Sequence, residues 1–352
     1  MNKRRHYFLK LGIRNYLFDF FLKKSITPHL IIGHGRWTTD EYLNNKHLTS
    51  ERLTKDDLKF INRVAKQIKD FMESRDNRKD VYFWIFHEER IFSLQAVSEI
   101  SDLFNYENPQ FMNFCNKIEK WEGDKSMNKK DSDKFNLWSD AKLCKAEFVK
   151  GFEHGINSHE VIHKFASINA HQGYNRRTIA EIKDEDAAIA DAILDYVAEK
   201  KVAPSPESFD EKIHYLSPLQ LETLVFLTTY EMGYLPAGYR GGTGKSYDIL
   251  LNNTNQPFNH ISDRFRGINY ISVKLKEDQA VKALLEKEED NSDIDTIYIF
   301  SDRVKSKPSK KYDESRVIDV KEMISYLDDT GKKKIEKWIN AQIELIPFKP
   351  II

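Results

Sequence analysis

Two acids and a lysine stand where a short run of elements can bring them together. Glu222 lies in LSPLQLETLVFLTTYEMGY (Leu216–Tyr234), Asp248 ends the Gly-rich GGTGKSYD, and Lys274 follows Ser272 by two residues in NYISVKLK. Hard oxygen ligands, chiefly carboxylates, hold the divalent cations that polarise a phosphate and acidify a water in phosphodiester hydrolysis. A lysine beside the same centre orients the nucleophile or neutralises developing negative charge. If the strands carrying Asp248 and Lys274 pair, and the helix carrying Glu222 packs on them, the three groups share one site.

The elements that must position them follow from local signals. Ser217 and Pro218 mark a helix start, apolar residues recur at helical spacing, and Gly233 closes the helix. After the Gly-rich turn, Asp248 is expected on a short apolar strand at the end of the stretch that closes at Leu251, and Asn269–Lys276 reads as a second strand. Glu277–Glu289 is expected to be a helix, Thr296–Ser301 (TIYIFS) a strand, and Val317–Asp319 a short strand leading into a helix over Val320–Leu327.

This ordered set resembles the catalytic domain of Mrr-type restriction endonucleases, a branch of the PD-(D/E)XK nuclease superfamily. That family typically shows a helix of the sense SPxxFExLVxxLLxxMGY, a Gly-rich turn ending in DxxID, a strand ending in QxK or ExK, and a late hIDxxxLxxhL. The chain supplies LSPLQLETLVFLTTYEMGY, GGTGKSYDIL, YISVKLK, TIYIFSD and RVIDVKEMISYL in the same order, over about a third of its length. The resemblance implies an α/β restriction-endonuclease-like fold with a central mixed sheet flanked by helices. It also implies Mg²⁺ or Mn²⁺ held by Asp248 and Glu222, with Lys274 as catalytic lysine and Ser272 assisting through a water. The implied activity is cleavage of double-stranded DNA in restriction or defence against foreign DNA. Because double-strand cleavage takes two active sites, a homo-oligomer or a defence-system partner protein fits the same reading.

Ser272 stands where the family has Gln or Glu, and the spacing from Asp248 to Lys274 is longer than in the family. A second reading rests on that departure: a nuclease fold without its chemistry, binding nucleic acid or a partner protein. A third rests on His159-Glu160-Val161-Ile162-His163. On a helix, such a pattern sets two imidazoles on one face for zinc and leaves the glutamate to activate water, with His171, Glu181 or Glu185 as third ligand. The run Gly241–Ser246 (GGTGKS) looks like the end of a phosphate-binding loop. However, Tyr239 occupies the position of its first glycine, and the order helix, loop, strand is the reverse of what such a loop needs, so ATP binding is rejected.

Upstream, residues 6–24 carry apolar side chains at roughly helical intervals and predict an amphipathic helix. A strand at Leu30–Ile32, a helix over Thr54–Glu73, a strand at Val81–Phe86 and a helix over Ser93–Phe104 follow. Further helices are expected at Asp140–Val149, Ser158–Asn169 and Asp184–Lys200, with breaks at 119–136 and at Val202–Pro206. The chain thus divides into an α+β recognition or regulatory module (1–118), a linker and helical middle region (119–206), and the Mrr-like domain with a C-terminal helix (207–352).

Fifty-five basic and 55 acidic side chains cancel, so no whole-protein field draws nucleic acid, and any such contact must be a local patch. Ser301–Arg316 is locally basic and Leu285–Asp295 locally acidic. Two cysteines, Cys115 and Cys144, make no disulfide framework or zinc ribbon and point to a reducing cytoplasm. His34, between two glycines and before Trp37, reads as a turn. Charges at Arg14 and Asp19 interrupt the N-terminal apolar run, and no later stretch is long and apolar enough to span a bilayer, so no membrane partner is expected.

Overall fold

The computed structural model describes residues 4–11, 18, 29–34, 66, 81–102, 141–170, 179–239, 247–251, 265, 268–289, 296–302 and 312–351. All of the helix expected over 54–73 except residue 66, the linker at 119–136, the Gly241–Ser246 turn, Trp37, Cys115 and most of the basic loop after Ser301 lie outside these residues. The chain forms two compact units, 1–158 with 168–201 and 159–167 with 202–352. Each is a mixed sheet with helices.

Unit 1 is built on strands β1 (Arg5–Leu9), β2 (His29–His34), β3 (Val81–His87), β4 (Arg90–Asp102), β5 (Ala141–Phe148), the short β6 (Ile156–Asn157) and β7 (Ile179–Ile182). Their order is β2-β5-β4-β3-β1-β7, with β6 on β4; β1 and β3 are parallel, the other pairs antiparallel. Of the segments expected to be helical, residues 6–9 of the run 6–24 lie in β1, with 12–17 and 19–24 outside the described residues, and the segments 93–104 and 140–149 form most of β4 and β5. Leu9, Phe83, Trp84, Ile85, Ile91, Leu94 and Ala146 are all fully buried. β1 and β4, buried on successive residues, lose the in/out alternation and present apolar runs that also fit a helical spacing, whereas β5 keeps it, with Cys144 and Ala146 buried and Lys145 and Glu147 exposed.

Glu88 and Glu89 turn β3 into β4 at φ 46° and 62°. That is the left-handed pair a two-residue hairpin requires, here without the Asn or Gly that usually signals it. Helix α1 (Asp184–Glu199) matches its expected range and buries Ile189, Ile193 and Val197. It is tied to β1 by Arg4, which donates to Asp195 at 2.6 Å, and by His6, whose Nε2 lies 3.0 Å from Asp191. Trp84 Nε1 donates to the Nδ1 of His6 at 3.1 Å, so a neutral ring carrying its proton on Nε2 satisfies both contacts. Gly151 sits at φ 88°, where a Cβ would come within 2.8 Å of Val197.

Unit 2 opens its main run with helix α2 (Phe209–His214) and helix α3 (Pro218–Glu231). Then come strands β8 (Pro236–Tyr239), β9 (Ile249–Leu251) and β10 (Tyr270–Lys276), helix α4 (Glu277–Glu289), strands β11 (Thr296–Asp302) and β12 (Val317–Asp319), and helices α5 (Val320–Ser325) and α6 (Asp329–Ile343). The sheet runs β12-β11-β10-β9-β8: β8, β9 and β10 form an antiparallel meander, and β11 and β12 add in parallel. Tyr298 and Phe300 pack with Ala280, Val281 and Leu284 of α4. Ile297 and Ile299, fully buried and one residue out of phase, serve the other face.

The elements expected between 216 and 327 are present at close to their expected bounds. One strand more than expected appears, β8, whose Pro236 and Gly238 are poor strand residues that a sheet edge tolerates. Among the described residues, no helix is long and apolar enough to cross a membrane.

Candidate active site

Helix α3 begins at a reciprocal cap: the Ser217 hydroxyl accepts from the Gln220 amide at 3.2 Å, and the Gln220 side chain accepts from the Ser217 amide at 3.0 Å. Pro218 supplies the first helical residue, needing no amide bond there. Gly233, at φ 88°, ends the run, as expected of a left-handed helix stop. The cap and stop fix α3 at both ends, and Glu222 lies in its second turn, half-buried.

Register brings the other groups together. Ile249 pairs with Ile271 and Leu250 with Tyr270, so one step further along the ladder Asp248 stands across from Ser272. The Asp248 amide extends the ladder by donating to the Ile271 carbonyl at 2.8 Å. Asp248 is 6% exposed and Ser272 1% exposed. Asp248 Oδ2 accepts from the Val273 amide at 2.6 Å and from the Ser272 hydroxyl at 3.2 Å. Lys274, on the same face of β10 as Ser272, donates from Nζ to the Ser272 oxygen at 2.8 Å. A continuous chain therefore runs from the ammonium of Lys274 through one hydroxyl to a carboxylate. Ser272 has one proton, and the ammonium is a donor only, so the hydroxyl proton points to Asp248.

Glu222 joins this group electrostatically. Burial pushes its carboxyl above the ordinary glutamate range, and the charge of Asp248 adds to the push; the hydrogen bond from Tyr239 and the charge of Lys274 act the other way. Tyr239 donates to Glu222 Oε2 at 2.7 Å. Its phenol is held well above the usual tyrosine range, first by burial and then by that carboxylate. Tyr239 was not expected from the sequence. The one signal for it is topological, since a meander core needs a third strand between the helix and Asp248, and Tyr239 ends that strand paired with Ile249.

The two acids are held alike. Asp248 accepts its hydrogen bonds on Oδ2 and Glu222 on Oε2, leaving Oδ1 and Oε1 without a hydrogen bond among the described residues. No set of three or more His, Cys, Asp or Glu side chains among the described residues converges as a metal-ligand group. The pair is nonetheless the number of carboxylates that Mg²⁺ ordinarily takes, its remaining positions being filled by water and phosphate. In number and type of donor Asp248 and Glu222 match the cation that the resemblance implies, and Ser272 bridges Asp248 to Lys274.

The His159–His163 pattern is not on one helix. Ser158–Glu160 is a single 3-10 turn, Ile162 is extended at φ −50° and ψ 133°, and a separate four-residue turn begins at His163. His163 Nδ1 lies 2.8 Å from Ser217 Oγ, at the start of α3, and burial holds its pKa below the usual histidine value. The expected helix over Ser158–Asn169 is therefore corrected to short turns. With it goes the one-face geometry that zinc requires. Of the proposed third ligands, Glu181 pairs with Lys183 at 2.9 Å in unit 1, Glu185 is also in unit 1, and His171 lies outside the described residues. Cys144 is a buried thiol that donates from Sγ to the Lys145 carbonyl at 3.4 Å.

Comparison with protein-family models, with curated proteins and with solved structures finds no match.

Proposed function

We propose that unit 2 is a metal-dependent DNA endonuclease with a restriction-endonuclease-like, Mrr-type core, acting on double-stranded DNA in defence. The observation that carries the reading is the Lys274–Ser272–Asp248 chain, with Glu222 beside it in a half-buried setting. The arrangement of α3, a three-strand meander, α4 and two further parallel strands supports it as well. Asp248 and Glu222 would hold Mg²⁺ or Mn²⁺ through Oδ1 and Oε1. A bound divalent cation supplies Lewis-acid polarisation of the phosphate and a more acidic water.

The residues of the chain divide the remaining work. The Val273 amide and Ser272 fix the carboxylate plane of Asp248, so its second oxygen meets a ligand without reorganisation. Lys274, anchored through Ser272, sets a positive charge beside the place where negative charge develops on the phosphate oxygens. A serine in that anchor adds no negative charge, so the site carries two carboxylates against one ammonium, a balance that leaves room for a dication and a phosphate together.

Supercoiled plasmid incubated with the full chain in Mg²⁺ or Mn²⁺ is expected to relax and linearise, and Asp248→Ala or Lys274→Ala to stop it. Cleavage that persists unchanged in both variants would sink the proposal. The neutral Ser272 at the family's Gln or Glu position favours one second reading, a fold that binds DNA without cutting it. Binding with no cleavage by wild type in either metal is its signature.

A further inference from the structure

We infer that Tyr239 is a positioning residue for this site: its hydroxyl holds one oxygen of Glu222 so that the other is presented for a divalent cation. The inference rests on the proposed metal-dependent reading and adds to it a residue on a strand that the sequence did not disclose.

Three observations carry it. First, the contact is direct, with the Tyr239 hydroxyl donating to Glu222 Oε2 at 2.7 Å across 17 residues of chain. Second, the backbone puts Tyr239 there: β8 pairs with β9 so that Tyr239 faces Ile249, the neighbour of Asp248, and the ring meets Phe226 of α3 edge-on at 6.0 Å. Phe226 lies one turn after Glu222, so the same helix face that carries the acid also fixes the phenol. Third, the arrangement repeats on both acids, because Asp248 has Oδ2 taken by protein donors and Glu222 has Oε2 taken by Tyr239. A carboxylate on a helix has three torsions to order. A donor at one oxygen removes most of that freedom before the ligand arrives, the role that outer groups play around metal ligands.

The probe is Mn²⁺ alone, titrated into the full-length chain at fixed pH without DNA and followed by the loss of the free-ion electron paramagnetic resonance signal. Wild type is expected to bind and Asp248→Ala to fail. Tyr239→Phe is expected to bind about 10-fold or more weakly, the loss typical of removing an outer-shell partner. Glu222→Gln should lose affinity too, and adding Tyr239→Phe to it should cost nothing further. In plasmid nicking under single turnover, Tyr239→Phe should lower the maximal rate and leave the DNA concentration for half-maximal rate unchanged. Unchanged melting and circular dichroism will show that the variants are folded, and Tyr239→Phe, which conserves the ring, keeps its contact with Phe226.

Equal Mn²⁺ affinity in Tyr239→Phe and wild type, with Asp248→Ala defective, overturns the role of Tyr239 and leaves the metal site standing. Additive losses in Tyr239→Phe with Glu222→Gln overturn it as well, since the tyrosine would then act on something other than Glu222. A wild type that takes up no Mn²⁺ overturns both readings.

Discussion

Replacing Ser272 with alanine removes one buried oxygen and nothing else of size, which makes it a sharp probe of the site. The hydroxyl accepts from Lys274 Nζ at 2.8 Å and donates to Asp248 Oδ2 at 3.2 Å. A hydrogen bond to a charged group contributes about 1.5–3 kcal/mol, so two would give roughly twice that at face value. The two losses are unequal, however. Asp248 Oδ2 keeps its shorter 2.6 Å bond from Val273, and Lys274 is only half-buried, so its ammonium regains water. The expected cost is therefore about 2 kcal/mol. For a unit of this size that is a fall of about 4–8 °C in the calorimetric midpoint of unit 2.

A double-mutant cycle with Lys274→Met tests the attribution, with an expected coupling of about 1–2 kcal/mol. In plasmid nicking, the same variant should act about 10-fold more slowly, because the ammonium is no longer fixed. A cost below about 0.5 kcal/mol, or independent effects of the two substitutions, would refute the chain of bonds as drawn.

Three further outcomes follow from the geometry. Because the folded state holds the Glu222 proton more tightly than the unfolded chain, stability linked to this group is lost as pH rises from the ordinary glutamate pKa through the raised folded one. Glu222→Gln should therefore match wild type in acid and exceed it in urea melts at pH 8. Ser217→Ala removes the helix cap and should cost about 1–2 kcal/mol in the unit 2 transition; a loss under about 0.3 kcal/mol would show that His163 and Gln220 do not depend on it. Changing Glu88 to Asn together with Glu89 to Gly gives the β3–β4 turn residues suited to its positive φ values, and should stabilise unit 1 by about 1 kcal/mol in thermal melts.

The two units differ in how readable they were, for a physical reason. In unit 2 the helix ends are written in side chains, Ser217 with Gln220 at one end of α3 and Gly233 at the other. The runs YISVKLK and TIYIFS are short, rich in β-branched and aromatic residues, and bounded by helix or loop. The pairing of Asp248 and Lys274 on neighbouring strands was open to reading from those runs, whereas Ser272 was singled out through the resemblance to the Mrr-type domain, which also supplied the role of Glu222 on its helix. Tyr239 could not be named, since PAGY carries Pro and Gly and joins the sheet only through its pairing with β9.

In unit 1, β5 alternates buried Cys144 and Ala146 with exposed Lys145 and Glu147, a strand signal that the helical reading of 140–149 passed over, while β1 and β4 carry no such signal. Ile91, Phe92, Ser93 and Leu94 are buried one after another, so the period that separates strand from helix is erased by burial on both faces. The β3–β4 turn compounded the difficulty, with two glutamates in a conformation that usually advertises itself by Asn-Gly. At the His159–His163 pattern, spacing alone carried a helix that Ile162 interrupts, and His163 instead meets the start of α3.

The central claim is that Asp248 is a ligand-bearing carboxylate in a DNA-cutting site. The most direct measurement is the Mg²⁺-dependent nicking rate of supercoiled plasmid by wild type and by Asp248→Asn, which keeps the side-chain shape and removes the charge. A fall of about 10²-fold or more in the folded variant is expected, the scale set by removing one electrostatic stabiliser. Equal rates for the two proteins, or no nicking by wild type in either Mg²⁺ or Mn²⁺, would contradict it.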